Sequence, residues 1–128
     1  MNRMGLKVAA VVAAMFLVVQ PAQAKDSSDT MSYYKSGNDL VNVMREYDKA
    51  QAGTKYDAYD VGSFMGYLQG ATDATASRGL YELPDGVTVG QIAAIVSKFL
   101  NANPENWNLP AAALITLALM EAFPAAKQ

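Results

Sequence analysis

The chain has no cysteine and no histidine in 128 residues. The first absence excludes disulfides, thiolate metal sites, a cysteine nucleophile and a lipid-bearing cysteine. The second removes the commonest general base and the commonest transition-metal ligand. Positive charge is also scarce, with 10 Lys and Arg against 12 Asp and Glu and a net charge of -2. A nucleic-acid binder, which needs clustered Lys and Arg, is therefore excluded. Only carboxylates remain for acid–base work, and no cofactor is expected.

What is present begins with an export signal. Arg3 and Lys7 flank the start, residues 8–19 are an unbroken apolar run, and Gln20-Pro21-Ala22-Gln23-Ala24 closes with small residues two apart. Basic, apolar and cleavage-site segments in that order form a secretory signal peptide. The apolar run is shorter than the roughly 20 residues that span a bilayer. Cleavage after Ala24 is expected, so residues 1–24 are a signal peptide and no membrane segment remains. The location expected is the periplasm. Residues 25–35, with Asp26, Ser27, Ser28 and Asp29, are polar and aperiodic and read as a flexible leader. Residues 36–128 are long enough for one domain with a modest core.

Helical periodicity runs through that domain. Ser36 can cap a helix whose Asp39 reaches back to it, and Leu40, Val43, Met44 and Tyr47 recur at helical spacing, which predicts a helix over residues 38–50. A second helix is expected from Asp57 or Asp60 to about Ser77, with Tyr56, Val61, Phe64, Met65, Tyr67 and Leu68 as its apolar face. Ala58, Gly62, Gly66, Gly70 and Ala74 recur on it at every fourth position. Each interior glycine costs about 1 kcal/mol in helix propensity, so the row asks for a purpose. It seats either a neighbouring helix of the same domain or a second subunit.

Thr88 and Gln91 form a capping box, with Val87 and Ile92 as a hydrophobic staple, for a helix over residues 89–102. Leu109-Pro110 opens a last helix. From residue 109 to residue 120 nothing is charged and Thr116 alone is polar, so this helix is expected at the centre of the bundle. Phe123-Pro124 stops it. No segment alternates like a strand. The expected fold is all-α, a small bundle of about four main helices.

Chemistry is thin. Asp57 and Asp60 share a helix face with Asp73 further along, and a carboxylate pair can hydrolyse glycosides. Acids at a helix start are also ordinary caps. Asp26 and Asp29 lack the central glycine and terminal glutamate of a calcium loop, so no metal site is expected. Tyr33, Tyr34, Tyr47, Tyr56, Tyr59 and Tyr67 make either a stacking face or the edge of a core.

Several segments carry a resemblance in order and spacing. They are Ser36-Gly37-Asn38-Asp39-Leu40, Phe64-Met65-Gly66-Tyr67-Leu68-Gln69-Gly70 with Asp73, Leu83-Pro84-Asp85-Gly86-Val87-Thr88-Val89-Gly90-Gln91, Asn103-Pro104, Pro110-Ala111, and Ala118-Leu119 before Ala122-Phe123-Pro124. Together they resemble the Rap/Tai family of type VI secretion immunity proteins across nearly all of residues 36–125. The resemblance implies a small helical periplasmic protein, often a homodimer, that protects a bacterium from a peptidoglycan amidase effector delivered by a neighbour. Such amidases are papain-like cysteine peptidases, and the immunity protein plugs their cleft without catalysis of its own. Members commonly carry cysteines where this chain has Met44, Phe64, Glu82 and Ala125. Joint loss leaves no orphan thiol in an oxidising compartment. The roughly 2–4 kcal/mol that a disulfide supplies then has to come from packing or dimerisation.

Loop placement and residue type, rather than the resemblance, single out Glu105, Asn106, Trp107 and Asn108 as effector contacts, with Tyr81, Glu82 and Asp85 second. Trp107 either serves as an interface anchor or folds back over the bundle end. Gly62, Gly66 and Gly70 serve helix packing or a dimer. A general periplasmic stress chaperone or a small-ligand-binding helical protein is the alternative on the same scaffold. A carboxylate hydrolase using Asp57 and Asp60 is a third reading.

Overall fold

The computed structural model describes residues 36–127. The expected signal peptide, its cleavage site and the leader lie outside the described residues. Four α-helices follow in order: α1 Gly37–Gln51, α2 Ala58–Ala76, α3 Val89–Ala102 and α4 Ala111–Ala122, with a 3-10 turn Pro104–Asn106 before α4. Every helix touches the other three. The all-α bundle read from the periodicity is the fold observed, and each predicted helix matches within a few residues at its ends.

The capping residues Ser36, Asp57 and Thr88 act at their helix starts, although at α3 only the Thr88 half of the expected capping box is made. The Ser36 backbone N–H donates to the Asp39 carboxylate at 3.0 Å, and its hydroxyl donates to the same oxygen at 3.1 Å. Asp57 caps α2 by accepting from the backbone N–H groups of Tyr59 at 2.8 Å and Asp60 at 3.1 Å. Thr88 Oγ1 accepts from the Gln91 N–H at 3.2 Å at the head of α3. The backbone N–H bonds among these satisfy donors that a helix start leaves without a partner.

The core is one cluster drawn from all four helices, with Leu40, Met44, Phe64, Leu68, Val96, Leu100, Leu114, Ile115 and Leu119 almost wholly buried. Burying each such side chain contributes about 1.5–3 kcal/mol. Met44 and Phe64 sit in this cluster, and the Phe64 ring meets Tyr47 at 5.4 Å between centroids. Glu82 and Ala125 are exposed. They flank a single antiparallel bridge between Tyr81 and Pro124, reinforced by the Glu82 N–H donating to the Phe123 carbonyl at 3.0 Å. Apolar packing and a main-chain bridge thus occupy the four positions where cysteines were expected of relatives.

Two expectations about faces are corrected. The α4 helix is not enclosed on all sides: Ala111, Leu114, Ile115, Ala118 and Leu119 are buried, but Ala112, Ala113, Leu117 and Met120 face solvent. In a bundle of four, each helix needs only one buried face, and uniform apolarity does not say which faces are covered. The α2 small-residue row seats no helix of the domain either. Gly62, Gly66 and Gly70 are exposed, and a Cβ added at any of them meets nothing within 4 Å. The α2 face that packs is carried by Phe64, Leu68 and Thr72, while Tyr56, expected on that face, is 48% exposed.

Candidate partner-binding site

The loop between α3 and α4 is fixed by long-range hydrogen bonds. The Trp107 indole N–H donates to the Leu100 carbonyl in the last turn of α3 at 2.8 Å. The Trp107 carbonyl accepts from the Asn38 backbone at 2.9 Å and from the Asn38 side-chain amide at 3.1 Å. The Gly37 N–H donates to the Leu109 carbonyl at 2.8 Å. Unpaired N–H groups in the first turn of α1 are thereby satisfied by the loop instead of by water. Arg45 adds a cation 5.8 Å from the Trp107 ring centre.

Gly37 makes this junction possible. A Cβ there would run into a terminal methyl of Leu114 and would lie 2.8 Å from the Trp107 carbonyl oxygen and 2.9 Å from its Cα. The helix start and the loop backbone approach too closely for any side chain at this point.

Trp107 itself is half-buried. Of the two roles open to it, the structure shows it folded back over the bundle end. Asn106 is half-buried, and Glu105 and Asn108 are exposed beside it. The second set is divided in the same way. Tyr81 is buried, its hydroxyl donating to the Thr72 carbonyl at 3.1 Å and lying 2.7 Å from Thr75 Oγ1. Glu82 and Asp85 are exposed, Asp85 on a turn whose Gly86 takes a φ of 84°. The two loops join opposite ends of α3, whose 14 residues rise about 1.5 Å each. One copy therefore carries two separate loop surfaces.

Asp57, at the head of α2, is engaged as a cap and a tie. Asp57 accepts the two N–H bonds given above, and its own N–H donates to Glu46 Oε2 at 2.8 Å. Glu46 also pairs with Lys49. The Lys49 hydrogen bond and then the Asp57 N–H hold the Glu46 carboxyl below its ordinary range. No group of three or more metal-ligating side chains occurs among the described residues. None of the described helices is long and apolar enough to cross a membrane.

Two features of the surface are not among the sequence expectations. Leu80 and Leu117 are each 41% exposed and Met120 is 38% exposed, an apolar patch along the outside of α4. A groove of about 310 Å³ between α3 and α4 is lined by Ile95, Lys98, Phe99, Ala118 and Glu121. The signal available for the first was the uncharged length of α4, which fits a covered face as well as a docking face.

The described residues form a small all-α bundle that presents charged loop tips and an apolar patch. Residues 36–125 match the model of the Rap1a immunity proteins, and the chain belongs to that family. The match spans nearly every described residue. It makes the protein a member of a family of immunity proteins against secreted effectors, a family that is generally non-catalytic. No curated protein and no solved structure matches the chain.

Proposed function

We propose that this is a periplasmic immunity protein which, as a homodimer, binds and blocks a peptidoglycan amidase effector delivered by type VI secretion, with no catalysis of its own. The observation that carries the reading is the match to the immunity-protein family over residues 36–125. The anchored loop supports it. An inhibitor that fills a cleft needs a contact segment ordered before binding, because ordering it on binding costs about 0.5–1.5 kcal/mol for each immobilised side chain. The ties from Trp107 to Leu100 and Asn38 supply that order, and they leave Glu105 and Asn108 free to touch a partner.

The test is titration of the purified mature protein into the amidase encoded beside its gene. Stoichiometric loss of peptidoglycan cleavage and a complex at nanomolar concentration are expected. Unchanged cleavage with no complex at micromolar concentration overturns the reading. Alanine at Glu105 and Asn108 should weaken the complex while leaving the melting temperature of the free protein unchanged. If neither substitution alters binding, this loop is not the contact.

A further inference from the structure

We propose that the exposed face of α4 is the surface on which two copies of this chain pair, in an antiparallel arrangement about a twofold axis near Leu117; the inference rests on the homodimer part of the proposed function. A helix uncharged from Ala111 to Met120, with apolar groups left in water, calls for a cover, since contiguous apolar patches on soluble proteins mark interaction sites. Here Ala113, Leu117 and Met120, spaced four and three residues apart, form one exposed stripe that no element among the described residues covers.

Charge indicates what covers it. Arg78 lines a hollow with Thr75, Leu80, Ala112, Ala113, Thr116 and Leu117, which places it beside the N-terminal half of the stripe. Glu121 lies one turn beyond Leu117, on the opposite flank, where it lines the α3–α4 groove with Lys98 and Phe99. Among the described residues, neither Arg78 nor Glu121 has an ion-pair partner. Arg78 and Glu121 thus stand at diagonal corners of an apolar strip whose midpoint is Leu117.

A twofold axis perpendicular to that strip exchanges diagonal corners. It brings Arg78 of each copy onto Glu121 of the other and Leu117 onto Leu117, the self-complementarity that an isologous interface requires. A foreign partner has no reason to match that diagonal. Elsewhere two copies of an acidic chain repel, but the two diagonal corners of this face carry opposite charges, Arg78 at one and Glu121 at the other.

The arrangement is tested by sedimentation velocity on the mature protein and its variants, with amidase inhibition measured on the same samples. A dimer is expected for the unaltered protein and a monomer for Leu117→Glu. Arg78→Glu and Glu121→Arg should each weaken pairing about tenfold, because each exposed pair occurs twice in the dimer. The double reversal should restore pairing to near its starting strength. If Leu117→Glu does not fold, the charge series carries the test alone. A monomer at all concentrations, a double reversal no better than the single changes, or a dimer insensitive to Leu117→Glu but lost on Gly66→Leu overturns the inference. Inhibition that survives in monomeric variants leaves the immunity reading intact, so the two fail separately.

Discussion

Trp107 hydrogen-bonds the Leu100 carbonyl through its indole N–H at 2.8 Å, tying the loop after α3 to the helix it has just left. The same residue's carbonyl takes two bonds from Asn38, so one loop position joins the end of α3 to the start of α1. Trp107→Phe keeps most of the packing but deletes the N–H. The Leu100 carbonyl then keeps only the Asn103 N–H at 3.2 Å. The expected loss is about 1 kcal/mol, with a larger loss of about 3 kcal/mol for Trp107→Ala, which opens a cavity as well. Urea denaturation with a constant slope measures both. A phenylalanine variant as stable as the parent would mean that the tie contributes nothing.

At Gly37 the obstacle is steric. The added methyl of Gly37→Ala meets main chain of Trp107, which cannot rotate away as a side-chain end can. Separating helix and loop also breaks the bonds from Gly37 to Leu109 and from Asn38 to Trp107. Loss of about 2–3 kcal/mol is expected, although alanine is ordinarily the better helix former. Hydrogen exchange should show the Asn38 amide losing protection ahead of the α2 amides.

These two cases mark what periodicity and caps could reveal. Ser36, Asp57 and Thr88 announced their helices because a cap is a local matter, settled within four residues. The Asn38–Trp107 and Trp107–Leu100 ties depend on how α1, α3 and the loop meet in space, and no local pattern encodes that meeting. Glycine at position 37 was a hint, read as part of a motif when it was a point of close approach. The small-residue row of α2 was visible but its neighbour was not: a stripe shows where another backbone can lie, not that one does. Uniform apolarity hid the open face of α4 for the same reason. At the candidate site, loop chemistry located Glu105, Asn108, Glu82 and Asp85 on the surface, whereas Tyr81 turned inward because its hydroxyl finds Thr72 and Thr75.

Thr72 offers a gain. The residue is 4% exposed, and its hydroxyl is buried with no hydrogen-bond partner among the described residues. Valine has nearly the same shape and no donor to desolvate. Thr72→Val should raise stability by about 1 kcal/mol, and the Tyr81 bond survives because it goes to the Thr72 main chain. A lower melting temperature for the variant would indicate that the hydroxyl is satisfied in solution.

The Glu46 carboxylate links α1 to the start of α2 by accepting from Lys49 and from the Asp57 N–H. Both hold its folded-state pKa below the unfolded value. The ionised form is therefore favoured by folding. Its contribution is present above an unfolded pKa of about 4.3 and is lost as pH falls through the lower folded value. Carbon-detected NMR titration should place Glu46 below the ordinary glutamate value. In Glu46→Gln, the fall in urea midpoint between pH 7 and pH 3 should be smaller than in the parent.

The glycine row gives the last prediction. Gly62, Gly66 and Gly70 lie in the middle of α2 with ordinary helical φ and open space around each. If α4 is the face that pairs, nothing needs these positions bare. Gly66→Ala should then stabilise the helix by about 0.5–1 kcal/mol, with the dimer unchanged. Alanine at all three positions should add nearly independently, because exposed positions a turn apart share no buried partner. The thermal midpoint and the sedimentation coefficient must be measured together. A rise in the first with no change in the second leaves α2 as a free surface. A fall in both would mean that a second backbone lies in the row and that the α4 face is not where the copies meet.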